Sequence, residues 1–342
     1  MANVYYDTDA NLELIQGKRV AVIGYGNQGR AHALNMRDNG CNVIVGLPAA
    51  SKSRAKVEAD GFEVVTTRVA TEQADVIMLL IPDEKHREVF ERDMLPVLGA
   101  GKLLLTAHGF SLHYGQIVPP ETVDVAMVAP KGPGQMLRQL FTEGLCLPAL
   151  WAVYQDATGN AEALTLAYAR AIGCTRAGVL HTTVGEETET DLFGEQTVLC
   201  GGVTALIRAA FEILVEAGYQ PEVAYIECMH ELKLTVDLMY QGGMNHMHQA
   251  ISDTAEFGDY VSGPRIVDQK TRDEMRKVLL DIQNGTFASR WILENQAGRP
   301  SFQAMRRVNA QHQIEQIGRE VRAMMPWLNA PQKKAEIAEP LK

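Results

Sequence analysis

Residues 18–36 restrict the possible folds more than any other stretch of the chain. Lys18 to Ile23, KRVAVI, has the unbroken apolar character of a strand buried on both faces. It runs directly into Gly24-Tyr25-Gly26-Asn27-Gln28-Gly29 and then into a helical run from Ala31 to Met36. Glycines at this spacing, between a buried strand and a helix, predict the dinucleotide-binding turn of a parallel α/β sheet. Gly24 would make the tight turn, Gly26 would let the backbone approach a pyrophosphate, and Gly29 would let helix and strand pack closely. The helix N-terminus then offers its amides to the phosphates.

The alternation of strand and helix continues. Asn42 to Val45 reads as the second strand and ends in Gly46-Leu47-Pro48-Ala49-Ala50-Ser51-Lys52-Ser53-Arg54. An acid that would hold the ribose hydroxyls of NAD is missing until Glu58, while the hydroxyls and cations at Ser51, Lys52, Ser53 and Arg54 suit the 2′-phosphate of NADP. Asp75 to Ile81 is a buried strand stopped by Pro82, Lys85 to Leu98 a helix, and Lys102 to Thr106 and Val123 to Val128 further strands. Leu147 to Tyr154, Ala161 to Ile172 and Thr175 to Val179 complete the sheet domain. Ligands of open α/β sheets lie beyond the carboxyl ends of the strands, which places His108 in AHGF and Lys131 in APKGPG to meet them.

After about His181 nearly everything reads as helix. Thr188 to Gln196, TETDLFGEQ, and Glu227 to Lys233, ECMHELK, each carry two carboxylates at helical spacing, Asp191 with Glu195 and Glu227 with Glu231. Going on along the same faces leads to Val198, Leu199 and Gly202 in one case and Leu234, Thr235 and Leu238 in the other, so both pairs lie on largely apolar stripes. Carboxylates there are costly to bury without a cation, and an all-oxygen ligand set favours a hard ion such as Mg²⁺. Thr197 to Ala217 is apolar almost all round and is expected to pack against other helices or across a subunit interface. His246 and His248, two residues apart on a helix, face apart and read as structural.

Composition limits the partners. The 342 residues suffice for two domains, and a net charge of -10 argues against nucleic acid and against an anionic membrane surface. Five cysteines, none spaced as CxxC, fit buried thiols of a reducing compartment, and neither a signal peptide nor an uninterrupted apolar run of bilayer length is found. A cytoplasmic location is expected.

Taken in order, GYGNQGRAHALNMRDNG, AHGF, APKGPG, ETDLFGEQ, ECMHELKL and ISDTAEFG resemble ketol-acid reductoisomerase, from near the N-terminus to about Met325. The resemblance is to the short, class I form. It implies an α/β Rossmann-like domain over 1–181, an all-α, knotted and intertwined domain over 182–327, and a flexible tail over 328–342. It implies a Mg²⁺-dependent alkyl migration in 2-acetolactate or 2-aceto-2-hydroxybutyrate, then reduction by NADPH to a 2,3-dihydroxy acid, in valine, leucine and isoleucine biosynthesis. Two Mg²⁺ ions would be held by Asp191, Glu195, Glu227 and Glu231, the two acidic stretches of one site coming from the two subunits of a homodimer, with higher oligomers open.

Carried over residue by residue, cofactor binding would fall on Gly24, Tyr25, Gly26, Asn27, Gln28, Gly29, Leu47, Pro48, Ser51, Ser53, Leu80, Ile81, Pro82, Asp83, His108 and Gly134. His108, Lys131 and Glu231 would be catalytic, with Glu231 the candidate base, and Pro133 and Ser252 would contact substrate. The chain departs from the usual pattern at Asn27, Arg30, Gln135 and Phe257, and at Pro48, where relatives often carry an Arg beside the adenine and the 2′-phosphate. Pro48 is expected to weaken discrimination for NADPH and leave appreciable use of NADH. The residues alone leave a metal-free NAD(P)-dependent hydroxy-acid dehydrogenase as the alternative.

Overall fold

A computed structural model describes residues 2–328. These fall into two compact units that divide between Asp191 and Leu192. The division falls inside the helix Val184–Gly194, because Glu187 and Thr188 are fully buried in the first unit. The tail expected from 328 on lies outside the described residues apart from Leu328.

The first unit is built on a nine-stranded mixed sheet. Its strands are β1 (Val4–Tyr5), β2 (Arg19–Ile23), β3 (Asn42–Gly46), β4 (Glu63–Val65), β5 (Val76–Leu79), β6 (Leu103–Thr106), β7 (Asp124–Pro130), β8 (Ala149–Gln155) and β9 (Val179–His181). The order is β1-β9-β8-β7-β6-β5-β2-β3-β4, with β2 in parallel register with both β3 and β5, and with β7–β8 and β1–β9 antiparallel. Alternate residues feed opposite cores. Val20 and Val22 of β2 point into one cluster with Val43 and Val45, while Ala21 and Ile23 point into the other with Ile44 and Ile77. Burial on both faces is why these strands read as continuous apolar runs rather than alternating ones.

Several expectations shift. The final strand of the sheet is Val179–His181, since Cys174–Arg176 closes as a 3₁₀ turn behind the left-handed Gly173. The helix expected over Lys85 to Leu98 is an α-helix only over Asp83–Val89, followed by a π turn at Phe90–Met94 and a 3₁₀ turn at Leu95–Val97, where Pro96 removes an amide. Of the thiols, Cys41 and Cys174 are buried, whereas Cys200 is exposed.

The second unit is helical. Both acidic stretches carry a π turn, Glu195–Leu199 and Ile226–His230, the latter leading into the helix Glu231–Ala250. A π turn winds about 4.4 residues per turn, so residues four apart still share a face. Glu227 and Glu231 therefore keep their pairing. The stripes beyond the acids are open on the single chain, with Val198, Leu199 and Leu234 all more than half exposed. The helix Glu231–Ala250 breaks at Gly243, whose φ of 81° an L side chain rarely adopts. His248 Nε2 meets Asp259 Oδ2 at 2.9 Å within this unit.

The segment Val184–Glu216 has 33 residues and a window hydropathy of 1.9, long and apolar enough by length and composition to cross a bilayer. Counting uninterrupted apolar runs misses it because Arg208 and Glu212 interrupt the run.

One ion pair fixes the dinucleotide helix Asn27–Asp38 to the end of the helix Arg54–Ala59. Arg30 grips Asp60 with two parallel bonds, Nε to Oδ2 at 2.7 Å and Nη2 to Oδ1 at 2.8 Å, and the Tyr25 hydroxyl donates to the same carboxylate at 2.9 Å. Chiefly through Arg30, the Asp60 carboxyl is held down at about 2. A folded-state pKa below the ordinary value of 3.8 adds stability that is present above that value and lost as pH falls toward about 2. The shift corresponds to roughly 2 kcal/mol, which solvent screening cuts to about 1. Asp60→Asn is therefore expected to destabilise the protein by about 1 kcal/mol at pH 5–7, a difference that shrinks toward pH 2–3 in urea titrations.

Candidate active site

The glycine turn forms where the sequence puts it. Gly24 has φ of 104°, and a Cβ there would stand 2.4 Å from the Leu80 carbonyl oxygen and 2.9 Å from Ile81 Cγ2. A Cβ on Gly29 would meet the Gly24 carbonyl oxygen at 2.3 Å, and one on Gly134 would meet that of Asn27 at 2.2 Å. The turn is thus walled by Leu80 and Ile81 on one side and by the start of the helix Gly134–Thr142 on the other. Gln28 Nε2 donates to the Gly132 carbonyl at 2.9 Å, and Pro133 is the N-cap residue of that helix. Gly24 N–H bonds to the Gly46 carbonyl at 3.1 Å, which brings the loop carrying Leu47, Pro48, Ser51 and Ser53 alongside.

Gly134→Ala tests this packing. The clash is with backbone, so the turn must move; overpacking of this kind costs roughly 1–3 kcal/mol. NAD(P)H affinity, read by quenching of protein fluorescence, is expected to fall about tenfold or more.

Two side chains behave differently from their sequence reading. Arg54, counted among the cations for a 2′-phosphate, turns its guanidinium inward to the carbonyls of Val64 at 2.9 Å, Val65 at 3.4 Å and Leu47 at 3.5 Å. It braces the loop by tying Leu47 to Val64 and Val65, where the Leu47 N–H already donates to the Val65 carbonyl at 3.0 Å. The Tyr25 side chain is buried with its hydroxyl on Asp60, so only its backbone faces the turn.

Beyond the strand ends lies a compact charged cluster. Glu187, fully buried, receives Lys131 Nζ at 2.7 Å on Oε1, and the Gly109 N–H at 2.9 Å and His108 Nδ1 at 3.1 Å on Oε2. Lys131 Nζ also reaches Asp191 Oδ1 at 2.8 Å, and His108 Nδ1 lies 3.6 Å from Asp191 Oδ2. Burial works against a charged Lys131, and Glu187 and Asp191 overcome it, raising the ammonium pKa. His108 is likewise opposed by burial and raised by Glu187. Glu187 is pushed up by burial and brought below its ordinary value by His108 and Lys131. All three shifts run toward the charged form of their group. His108, Glu187 and Asp191 also bring one ligand atom each within 4.8 Å of one another, a donor set able to hold a cation.

Sequence reasoning misses Glu187, although Glu187, Asp191 and Glu195 recur every four residues and a glycine follows His108. A Cβ on Gly109 would stand 2.2 Å from Thr188 Oγ1, so only glycine lets that turn close on the helix Val184–Gly194. In the second unit, Glu195, Glu227 and Glu231 are solvent-exposed. Ser252 caps the helix Asp253–Ile266, its Oγ accepting from Ala255 N–H at 3.2 Å.

Comparison with known proteins decides the family. Residues 14–178 match the acetohydroxy acid isomeroreductase NADPH-binding domain, and residues 184–327 match the ketol-acid reductoisomerase C-terminal domain. The chain belongs to the ketol-acid reductoisomerase family. A solved structure described as an NADH-preferring ketol-acid reductoisomerase from an uncultured archean is 43% identical, covers 94% of this chain and 99% of its own, and superposes with a TM-score of 0.91. A semialdehyde dehydrogenase NAD-binding protein from Cupriavidus necator, at 18% identity, 78% and 99% coverage and a TM-score of 0.59, is similar in fold alone. As a ketol-acid reductoisomerase the chain is an NAD(P)H-dependent enzyme with a Rossmann-like domain followed by a helical one. This fold is that of a soluble enzyme.

Proposed function

We propose that the chain isomerises 2-acetolactate or 2-aceto-2-hydroxybutyrate and reduces the resulting 2-keto acid with NAD(P)H, in cytoplasmic branched-chain amino-acid biosynthesis. The observation that carries this reading is the buried Glu187 carboxylate held jointly by Lys131, His108 and Gly109 N–H, beside Asp191 and next to the glycine turn. Moving an alkyl group off a carbinol carbon requires the hydroxyl to lose its proton while the neighbouring carbonyl gains negative charge. Lys131 supplies a fixed positive charge for that oxygen, and Glu187 keeps the ammonium charged and oriented. His108, held on Glu187 by its Nδ1, is proposed to face the reacting carbon and the nicotinamide.

Asp191, Glu195, Glu227 and Glu231 are proposed to hold two Mg²⁺ ions. The donor chemistry fits, being all carboxylate, with Asp191 half-buried next to a lysine that already stands where a cation is favoured. When bound, such ions lower the hydroxyl pKa and stabilise the developing alkoxide. Glu231 is the proposed base and Ser252 a proposed donor to the substrate carboxylate, since its capping role leaves its O–H available. Functional limits of 1–181 and 182–327 are proposed for the two domains, the second knotted and intertwined in a homodimer. The exposed apolar faces at Val198, Leu199, Leu206 and Ile213 support a partner subunit there.

Both nicotinamides are proposed as cofactors, NADPH ahead by a narrower margin than the loop sequence suggests. Pro48 brings no charge, Arg54 is committed to carbonyls, and a 43% identical relative is described as NADH-preferring. The test is steady-state oxidation of NADPH and of NADH with 2-acetolactate and MgCl₂, with the 2,3-dihydroxy acid identified by chromatography. Oxidation without that product would overturn the assignment.

A further inference from the structure

We propose that His86 is a positioning residue that braces the cofactor turn against the charged cluster through two hydrogen bonds. This rests on the preceding reading that the glycine turn and the Lys131 cluster serve one active site. His86 is buried on the helix Asp83–Val89. Its Nε2 lies 2.9 Å from the Ile81 carbonyl. A carbonyl only accepts, so Nε2 carries the proton and Nδ1 is left as an acceptor. Nδ1 then receives the hydroxyl of the fully buried Ser111 at 2.8 Å. Asp83 Oδ1 stands 3.8 Å from Nε2, and Glu84 and His108 are the other charged or titratable groups that act on the ring. Burial holds the imidazole pKa down and keeps the ring in this neutral tautomer.

The two ends of the brace identify what it holds. Ile81 packs its Cγ2 against Gly24, within 2.9 Å of where a Cβ would sit. Ser111 lies two residues beyond Gly109, whose N–H binds Glu187. The β5–β6 ladder ends at Leu79 opposite Thr106, and past that pair the imidazole links the two chain segments. Hydride transfer needs the nicotinamide, carried by the turn, to meet a carbon held at the cluster. Displacement of reacting groups by about 1 Å can cost about 10²-fold in rate.

The experiment uses full-length His86→Leu, His86→Gln, His86→Asn and Ser111→Ala proteins, with Lys131→Met as a control. Each is assayed for thermal melting, for kcat and KM with 2-acetolactate, and for the primary isotope effect with NAD(P)H deuterated at the transferred position. His86→Leu and Ser111→Ala are expected to lower kcat about tenfold and to enlarge the isotope effect, with the KM for 2-acetolactate within about twofold of the parent. Gln keeps a donor near Nε2 and Asn an acceptor near Nδ1, so each is expected to recover part of the loss. Folded Ser111→Ala and His86 variants with unchanged kcat and isotope effect, beside a Lys131→Met that has lost its activity, would overturn the brace alone. Should His86→Leu fail to fold, Ser111→Ala decides. If Lys131→Met matches the parent, the active-site reading itself fails.

Discussion

Lys131→Met is expected to lower kcat by about 10²–10³-fold while the protein still folds and binds NAD(P)H. Lys131 Nζ is shared between Glu187 and Asp191 at 2.7 and 2.8 Å, so its removal takes away the one fixed cation of the cluster apart from any charge on His108. Breaking a fully buried ion pair costs about 3–5 kcal/mol. Here the loss is expected to be smaller, about 1–3 kcal/mol, because Glu187 keeps the Gly109 N–H and His108, and the Lys131 side chain is 31% exposed. Calorimetry separates this from the catalytic loss, which is far larger than partial unfolding produces. Lys131→Arg restores charge without the compact ammonium, so stability is expected to recover more than activity. Parental activity in Lys131→Met would remove the cluster from the mechanism.

Asp191→Asn and Glu227→Gln are each expected to abolish turnover to below about one part in 10³ of the parent. Co-assembly of the two inactive chains makes the stronger prediction. If the acids of one site come from two subunits, every mixed dimer has one intact site and one doubly altered site. Random pairing then restores about a quarter of parental activity. If one chain supplies both acids, no mixed dimer has an intact site and activity stays at the background. Measuring the mixture against each variant alone distinguishes the two arrangements directly.

Much of this was legible in the residues. The turn at Gly24, the continuous apolar strands and the placement of His108 and Lys131 at strand ends all follow from patterns that local sequence carries. What escaped were features set by contacts between distant segments. The strands Val4–Tyr5 and Glu63–Val65 are too short to show a period and exist because neighbouring strands pair with them. Glu187 sits among Glu186 and Glu189 in sequence, and only the register of its helix against Gly109 decides which of them is buried. Arg54 read as a ligand cation because sequence does not reveal which carbonyls lie within reach. The π turns at both acidic stretches are single-turn insertions, to which apolar periodicity is blind.

The most direct test is nicotinamide absorbance on mixing the protein with 2-acetolactate, MgCl₂ and NADPH, then with excess chelator, then with Mg²⁺ restored. The cluster and the acid pairs predict oxidation that chelator stops and Mg²⁺ recovers. Oxidation that persists undiminished in chelator would contradict a metal-dependent alkyl migration and return the site to that of a metal-free hydroxy-acid dehydrogenase.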